Sequence, residues 1–518
     1  MSPYTKYLPE HQALIYEGDP IPGSVPLNDG LMLCKTDMKT LVPLIERGYD
    51  IPTEAAPILR EYAYPSSLYR PMKHQYPTSA FLTLNKRNYN LSEIGTSKTL
   101  STLWAYDYLR SQGILHKALI VAPLSTLHRV WDDEVFKHFS HLHATVLYGE
   151  ASKRKLLLSN RMFDVYVVNF DGLNILWEDV QKRPDIDLIV IDELSTYRNP
   201  STTLWKSANA LLKDGKRWGW GLTGTPVPNK AMDAYGQVKL LTPHRAPRTK
   251  RAFQDMVMYQ VSKFKWKAKD NAIQTLSKIM QPSIRYERAE CLDLPSTTYS
   301  TRVAELSSEQ KSIYQKMVKE LYVEYQEGKI SASNESVKEQ KLVQIACGVV
   351  YDNAHESITV HSVPRQNVLL EVIEEAEAKV LVFAPFVAVV DHLTEFLRGK
   401  GYTVGAVTEA SGAAKRAELF RAFQQDPDPQ ILVANPKAMA HGLTLTAANV
   451  ICWYAPIQDN EVYLQANGRI TRSSQKLKTH IVHISASPVE DRRYRSLMEK
   501  TSFQGGLLDV LANLQEHI

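Results

Sequence analysis

Leu91-Ser-Glu-Ile-Gly-Thr-Ser-Lys-Thr99 is the stretch from which the rest of the 518-residue chain is read. It has the character of a phosphate-binding loop. Gly95 permits a tight turn, after which the amides of Thr96 and Ser97 can point at an anion. Lys98 is placed to reach outer phosphates, and the Thr99 hydroxyl to sit on Mg²⁺. Residues 100–110 have helical composition, so the loop feeds a helix N-terminus that attracts negative charge. The G-x-x-x-x-G-K-[ST] pattern is met incompletely, with Ser97 before the lysine and Ser92 at the outer glycine. A polar turn ahead of a surface helix therefore competes until the downstream motifs are counted.

Outward from this loop, apolar runs alternate with helical stretches: Lys117-Ala-Leu-Ile-Val-Ala-Pro123, Asp164-Val-Tyr-Val-Val-Asn-Phe170, Asp187-Leu-Ile-Val-Ile-Asp192 and Trp218-Gly-Trp-Gly-Leu-Thr223. Continuous apolar strands separated by helices predict a parallel sheet covered on both faces. The alternation returns at Lys379-Val-Leu-Val-Phe383, Tyr402-Thr-Val-Gly-Ala-Val407, Gln430-Ile-Leu-Val-Ala434, Asn449-Val-Ile-Cys-Trp-Tyr454 and His480-Ile-Val-His-Ile484. The fold class is thus α/β with two tandem parallel-sheet domains.

The expected divisions are an N-terminal extension over 1–65, a first domain over 66–290, a helical protrusion over 291–355, a second domain over 356–500 and a tail over 501–518. The proline-rich extension reads as irregular, with a short helix over 37–47, and as either a packed collar or a separate module. Residues 230–350 read as mostly helical and charged, projecting from the sheets rather than extending them, with a basic insertion at 230–285. After Gly505-Gly506 the tail predicts one short amphipathic helix over 507–514.

Hydrophobic residues make up 44% and charged residues 23%, as in ordinary globular proteins. The net charge of +5 is modest, so any nucleic-acid surface must come from local clustering. Four scattered cysteines without a C-x-x-C pair argue against a zinc ribbon and for a reducing compartment. No cleavable signal is legible, and the longest apolar run, 380–390, is too short for a bilayer and holds Pro385. A cytoplasmic monomer without membrane partners is the expectation.

Three constellations carry chemistry. Asp192-Glu193 closes an apolar strand, where α/β proteins place ligands. Asp192 can hold Mg²⁺ and Glu193 can activate water, whereas a plain helix cap is the bland alternative. Leu222-Thr-Gly-Thr-Pro226 follows the next strand, and Thr223, Gly224 and Thr225 are candidates for sensing a terminal phosphate. A simple turn would also suit them. In Gln465-Ala-Asn-Gly-Arg-Ile-Thr-Arg472, Arg469 and Arg472 would share one helix face and could clamp phosphate; surface ion pairing is the alternative.

In this order, these motifs resemble superfamily 2 helicases, and the match is nearer to the Swi/Snf-like branch, over residues 70–495. His441-Gly-Leu-Thr-Leu-Thr446 is similar to its motif V, and Val121-Ala-Pro-Leu-Ser-Thr-Leu127 with Trp131 and Glu134 to its motif Ia. Leu306-Ser-Ser-Glu-Gln310 with Tyr314, then Leu342-Val-Gln-Ile-Ala-Cys347, resembles its helical insertion, and Met72-Lys-His-Gln75 the adenine-reading motif. The resemblance implies two RecA-like lobes with ATP between them, Mg²⁺ as cofactor and duplex or forked DNA across both. By motif position it assigns Gln75 to adenine and Gly95, Thr96, Ser97, Lys98 and Thr99 to phosphates. It assigns Thr99 and Asp192 to the metal, Glu193 to water and Arg469 and Arg472 to transferring charge. Ser125, Thr126, Asn169, Lys437 and Thr444 are assigned to the nucleic-acid backbone. The chain departs from the branch at Ser97, at Ser195 in place of histidine, at Ala440-His441 in motif V, and at 455–460, which lacks the usual Asp, Trp and Asn-Pro.

Two basic stretches suit phosphate neutralisation: Arg245, Arg248, Lys250 and Arg251, and Lys263-Phe-Lys-Trp-Lys-Ala-Lys269, whose Lys265 and Trp266 could contact and stack on DNA. A solvated protrusion with its aromatics buried is the alternative. His138, His141 and His143 lack ligand spacing and read as surface histidines. The functional expectation is an ATP-dependent double-stranded DNA translocase acting in replication, recombination or repair. A strand-separating helicase on DNA or RNA is the enzymatic rival, and a nucleotide-gated binding module with little turnover is the rival from another class.

Overall fold

The computed structural model describes residues 4–515 except 29, 67–68, 263–264, 293, 327–331, 352–355, 440–443 and 473. The chain forms two compact units, Met1–Leu292 with Phe503–Ile518, and Asp293–Ser502.

The N-terminal stretch is not irregular. Strands β1 (Thr5–Leu8), β2 (Ala13–Glu17), β3 (Val25–Pro26) and β4 (Leu31–Lys35) form an antiparallel sheet in the order β1-β2-β4-β3, followed by the helix Met38–Glu46. The prolines misled because they punctuate the sheet: Pro20 and Pro22 lie in a connection and Pro26 on the edge strand, where a missing N–H is tolerated. Leu14, Tyr16, Met32 and Leu41 share one buried core with Phe81, Leu82 and Trp104, so the extension is a collar on the first unit.

Seven parallel strands form the first unit's main sheet. They are β5 (Arg87–Asn90), β6 (Lys117–Ala122), β7 (Ala144–Val146), β8 (Val165–Asn169), β9 (Ile186–Asp192), β10 (Trp218–Leu222) and, after the hairpin β11 (Met258–Ser262) and β12 (Lys265–Ala268), β13 (Ser283–Ile284). Their order is β13-β5-β10-β9-β6-β8-β7. The basic insertion is therefore not purely a projection: it ends by adding β13 to the sheet edge beside β5.

The second unit carries β14 (Thr297–Val303), the small hairpin β15 (Val349–Tyr351) and β16 (Ser357–Thr359), then β17 (Lys379–Phe383), β18 (Val404–Val407), β19 (Ile431–Ala434), β20 (Ala448–Trp453) and β21 (Thr479–Ser485). Its main sheet runs β14-β21-β20-β17-β19-β18, all parallel. Thr297–Val303 was expected in a helical protrusion. Its alternating Thr, Ser and Tyr instead suit a half-exposed edge strand, and the second unit begins at Asp293. Two long helices follow, Ser308–Gln326 and Ala332–Cys347, as the helical reading of this stretch expects.

The tail is also longer than its glycines suggest. One helix, Pro488–Gln515, runs through Gly505 and Gly506, and its residues from Phe503 onward belong to the first unit. A Cβ on Gly506 would lie 3.0 Å from Ile273 Cδ1, so this glycine allows close packing rather than a break. Leu507, Leu508 and Leu511 are buried in that unit's second core. Among the described residues no helix is long and apolar enough to cross a membrane.

Candidate active site

The phosphate loop leaves β5 and enters the helix Lys98–Ser111. Gly95 has φ +94° and Ser97 φ +55°, both left-handed. A serine there is strained, which explains why a glycine is expected at the position. The turn aims the helix N-terminus, with Lys98 as its first residue, across the ends of the strands. The Lys98 ammonium donates to the carbonyls of Ser92 (2.7 Å) and Glu93 (2.9 Å), closing the loop on itself. Phosphate oxygens offer the same acceptor chemistry with a full charge.

Buried polar residues around the loop fix its shape. Asn90 Oδ1 accepts from the Ser92 amide (3.2 Å), and Ser92 Oγ accepts from the Tyr286 amide (3.2 Å). His74 Nε2 lies 2.9 Å from the Thr96 carbonyl; burial lowers the His74 pKa, which favours the neutral ring. Gln75 is fully buried. Its Oε1 accepts from Tyr69 OH (2.6 Å) and the Met72 amide (2.8 Å), while Nε2 reaches the Ser97 carbonyl at 3.5 Å. Gln75 thus braces the loop in this structure.

Strand β9 ends at Asp192, two places from β5 in the sheet with β10 between them. Asp192 Oδ2 accepts from Trp131 Nε1 (3.0 Å), and Oδ1 from the Glu193 amide (3.1 Å). Asp192 keeps some solvent exposure, yet protein atoms hem in its carboxyl. That desolvation raises its pKa, against the lowering effects of the Trp131 hydrogen bond and the Lys98 charge. Glu193 is left-handed at φ +56° and caps the short 3₁₀ turn Leu194–Tyr197. Ser97 and Glu193 are two of three non-glycine residues with positive φ among those described, so backbone strain collects at this site.

Thr223, Gly224 and Thr225 follow β10. The Thr223 amide donates to the Asn90 carbonyl (3.0 Å), and Thr223 Oγ1 accepts from the Thr225 amide (3.1 Å). A Cβ on Gly224 would sit 3.3 Å from Ile94 N and 3.4 Å from the Ser92 carbonyl. This turn therefore touches the phosphate loop itself. The Thr225 hydroxyl is buried without a hydrogen-bond partner beside it, a donor available to a ligand oxygen.

No cluster of three or more His, Cys, Asp or Glu is gathered for a metal among the described residues. The donors present, the Thr99 hydroxyl and the Asp192 carboxylate, fit Mg²⁺, which takes few protein ligands and completes its shell with phosphates and water. The three histidines pair with different carboxylates: His138 with Glu134 (3.3 Å), His141 with Asp107 (2.8 Å) and His143 with Asp164 (3.5 Å). Only 13% of the His138 side chain is exposed, so it is not a surface histidine.

In the second unit, Arg469 and Arg472 do not lie on a helix. The helix Asn460–Asn467 ends with Gly468 as its C-cap, and both arginines follow in a turn. Gln475 holds that turn, its Nε2 donating to the carbonyls of Ile470 (3.0 Å) and Ala448 (2.9 Å). Arg469 is buried; Arg472 is half-buried.

The sequence-assigned nucleic-acid residues divide. Ser125, Lys437 and Thr444 are exposed, as are Arg248 and Lys250. Thr126 is buried and its hydroxyl donates to the Pro123 carbonyl (2.9 Å). Asn169 is buried and accepts from Arg154 Nη1 (2.9 Å), which makes Arg154 the more accessible polar group there. Trp266 is half-buried against the second core, and Arg251, paired with Asp255 (3.1 Å), lies 4.9 Å over its ring. Lys263, Phe264, the Lys265 side chain and 440–443, which include His441, lie outside the described residues.

Residues 90–350 match the SNF2-related domain and residues 364–474 the helicase conserved C-terminal domain. The chain is 26% identical over 463 residues to "Putative protein p41" of Acyrthosiphon pisum secondary endosymbiont phage 1, spanning 86% of this chain and 98% of that protein. It is 24% identical over 409 residues to an "Uncharacterized ATP-dependent helicase" of Mycoplasma genitalium, spanning 77% of this chain but only 38% of that one. Among solved structures, a Sulfolobus solfataricus SWI2/SNF2 ATPase core in complex with dsDNA is 20% identical, with a TM-score of 0.41 over 88% of this chain and 97% of the other.

Proposed function

The chain belongs to the SNF2-related family and is an ATPase of the helicase and translocase type; from that premise we propose that it couples ATP hydrolysis to movement along double-stranded DNA. The observation that carries this proposal is the neighbourhood of the phosphate loop: the Lys98 charge acts on Asp192 at the end of β9, and the Gly224 turn touches the loop. Lys98 and the amides after Gly95 bind the phosphates, and the Thr99 hydroxyl and Asp192 hold Mg²⁺. When bound, the ion offsets charge on the transferring phosphoryl group. Glu193 orients water and takes its proton. Gly224, in contact with the loop, and Thr225, which follows it, sense loss of the terminal phosphate. Arg469 and Arg472 are assigned from sequence resemblance to stabilise transferring charge during turnover.

The exposed cations Arg248 and Lys250 with Lys437 and Thr444 supply backbone contacts. ATP turnover measured with single-stranded, duplex and forked DNA and with RNA tests the proposal. The largest stimulation is expected from duplex DNA. Equal rates with and without every nucleic acid would instead support a nucleotide-gated binding module.

A further inference from the structure

The second unit has a cavity of about 320 Å³ that the phosphate-loop chemistry above does not use; of its lining residues, Lys437 has already been proposed as a backbone contact. It opens beyond the carboxyl ends of three neighbouring parallel strands, between the segments that follow β17, β19 and β20. The chain leaves central β17 for β18 on one side and crosses to β20 on the other, so this is the sheet's topological switch point, where open α/β sheets bind ligands. Asn435 ties two of these segments together, its Nδ2 donating to the Pro385 carbonyl (3.1 Å) and its Oδ1 accepting from the Lys437 amide (3.0 Å).

The walls are mixed as small-ligand sites are. Pro385, Phe386 and Ile457 give an apolar side, and Lys437 stands at the rim. Arg493, from the helix Pro488–Gln515, lines the cavity with a side chain only 10% exposed. Its Nε and Nη2 are buried and donate no hydrogen bond. The nearest carboxylate, Glu339, is 3.9 Å away and also pairs with Arg492 at 3.5 Å. Glu490, close by, is spent on Arg365 (2.7 Å). Neither of these acids lines the cavity; Asp459, which does, caps its own helix by accepting from the Glu461 amide (3.0 Å). A buried guanidinium with unused donors, facing a cavity, calls for an anion.

We propose that this cavity binds a single nucleotide, its phosphate on Arg493 and its ring against the Pro385, Phe386 and Ile457 wall. A nucleotide turned out of a DNA strand and a free nucleoside monophosphate share this chemistry. The strand source rests on the DNA-translocase proposal; the free source does not.

Calorimetric titration of the full chain with dTMP tests the free source. Binding is expected in the wild type and in Lys98→Ala, which places it away from the phosphate loop. It should weaken at least tenfold in Arg493→Met and partly in Arg493→Lys. Ile457→Trp, which fills the cavity and keeps the guanidinium, should abolish it and carries the test if Arg493→Met does not fold. Binding of an oligo-dT strand across a salt series tests the strand source. Loss of one phosphate contact should reduce the slope of log affinity against log salt by about 0.7 in Arg493→Met. Effects in either titration support the nucleotide site and tell its source. Unchanged dTMP binding and an unchanged slope in both cavity variants would mean that the cavity holds only water, and the proposal fails.

Discussion

The phosphate loop of the first unit, which follows β5, and the arginine turn of the second, which follows the helix Asn460–Asn467, are both short irregular segments, yet their backbones differ. In the loop Gly95 and Ser97 are left-handed, Lys98 is bonded to the loop's own carbonyls, and buried polar side chains brace that backbone. The arginine turn has no positive φ among its described residues; the Leu445 amide donates to the Arg469 carbonyl (3.0 Å), and the Gln475 side chain gathers the carbonyls of Ile470 and Ala448. Chemistry that needs amides aimed at phosphate requires an unusual backbone. Chemistry that needs two guanidinium groups requires only that their Cα atoms stay put. Substitutions in the two segments should therefore fail in different ways.

The largest effect separates binding from hydrolysis in the loop. Glu193→Gln keeps the shape and removes the base, so ATP should bind while turnover falls on the order of 10²-fold or more. Lys98→Ala should lose nucleotide affinity and turnover together. Equilibrium binding beside single-turnover hydrolysis checks both, and near-normal hydrolysis in Glu193→Gln would remove its role as base.

The arginine turn comes next. Arg472→Ala should abolish DNA stimulation while leaving nucleotide binding intact. Gln475→Ala removes the donor to both carbonyls, at a cost of about 0.5–1.5 kcal/mol per bond, and should lower DNA-stimulated turnover by roughly tenfold with basal binding unchanged. If Gln475→Ala keeps full stimulation, the turn is positioned by something other than this clamp.

A smaller effect reads the electrostatics at Asp192. Burial already raises its pKa, and the Trp131 hydrogen bond opposes that rise. Trp131→Phe removes the donor, so the carboxyl should hold its proton to a higher pH. The ionised form that binds Mg²⁺ is then lost earlier as pH falls. The acid limb of the kcat/KM profile should move up by about half to one pH unit. A shift downward, or none, would mean that Trp131 does not tune this carboxylate.

The sheet cores and the order of motifs were legible because apolar runs such as Lys379-Val-Leu-Val-Phe383 carry their signal locally. Strand β5, Arg-Asn-Tyr-Asn, was not. Asn88 and Asn90 are fully buried, and local bonds that no apolar pattern signals help to make them tolerable: Asn88 Nδ2 donates to the Asn85 carbonyl (2.8 Å) and Asn90 accepts from the Ser92 amide. The edge strands β13 and β14 were missed because two residues, or a polar alternating run, form a strand only where a partner edge waits. In the site, Lys98, Thr99, Asp192 and Glu193 announced themselves by spacing. Trp131 was noted as a motif member, but its bond to Asp192 joins residues 61 positions apart and needs the fold to be seen. The helical placing of Arg469 and Arg472 failed because Gly468 ends the helix one residue too soon.

The smallest expected effect tests the strained backbone on which the comparison rests. Ser97 sits at φ +55°, ψ +43°, a conformation costing an L-residue roughly 1–2 kcal/mol. Glycine removes that strain, but it gains freedom in the unfolded chain worth about 0.4–1 kcal/mol. It also gives up the hydroxyl's polar interaction with Tyr69. These contributions nearly cancel, so Ser97→Gly should change the melting temperature of the first unit by no more than about 2–4 °C and retain turnover. Ser97→Ala keeps the strained Cβ and loses the hydroxyl, so it should melt below both. Ser97→Val, branched at Cβ, should melt lowest. Thermal melting of the four proteins ranks them. If alanine proved as stable as glycine, left-handed strain at residue 97 would not limit the loop, and backbone conformation would no longer distinguish it from the arginine turn.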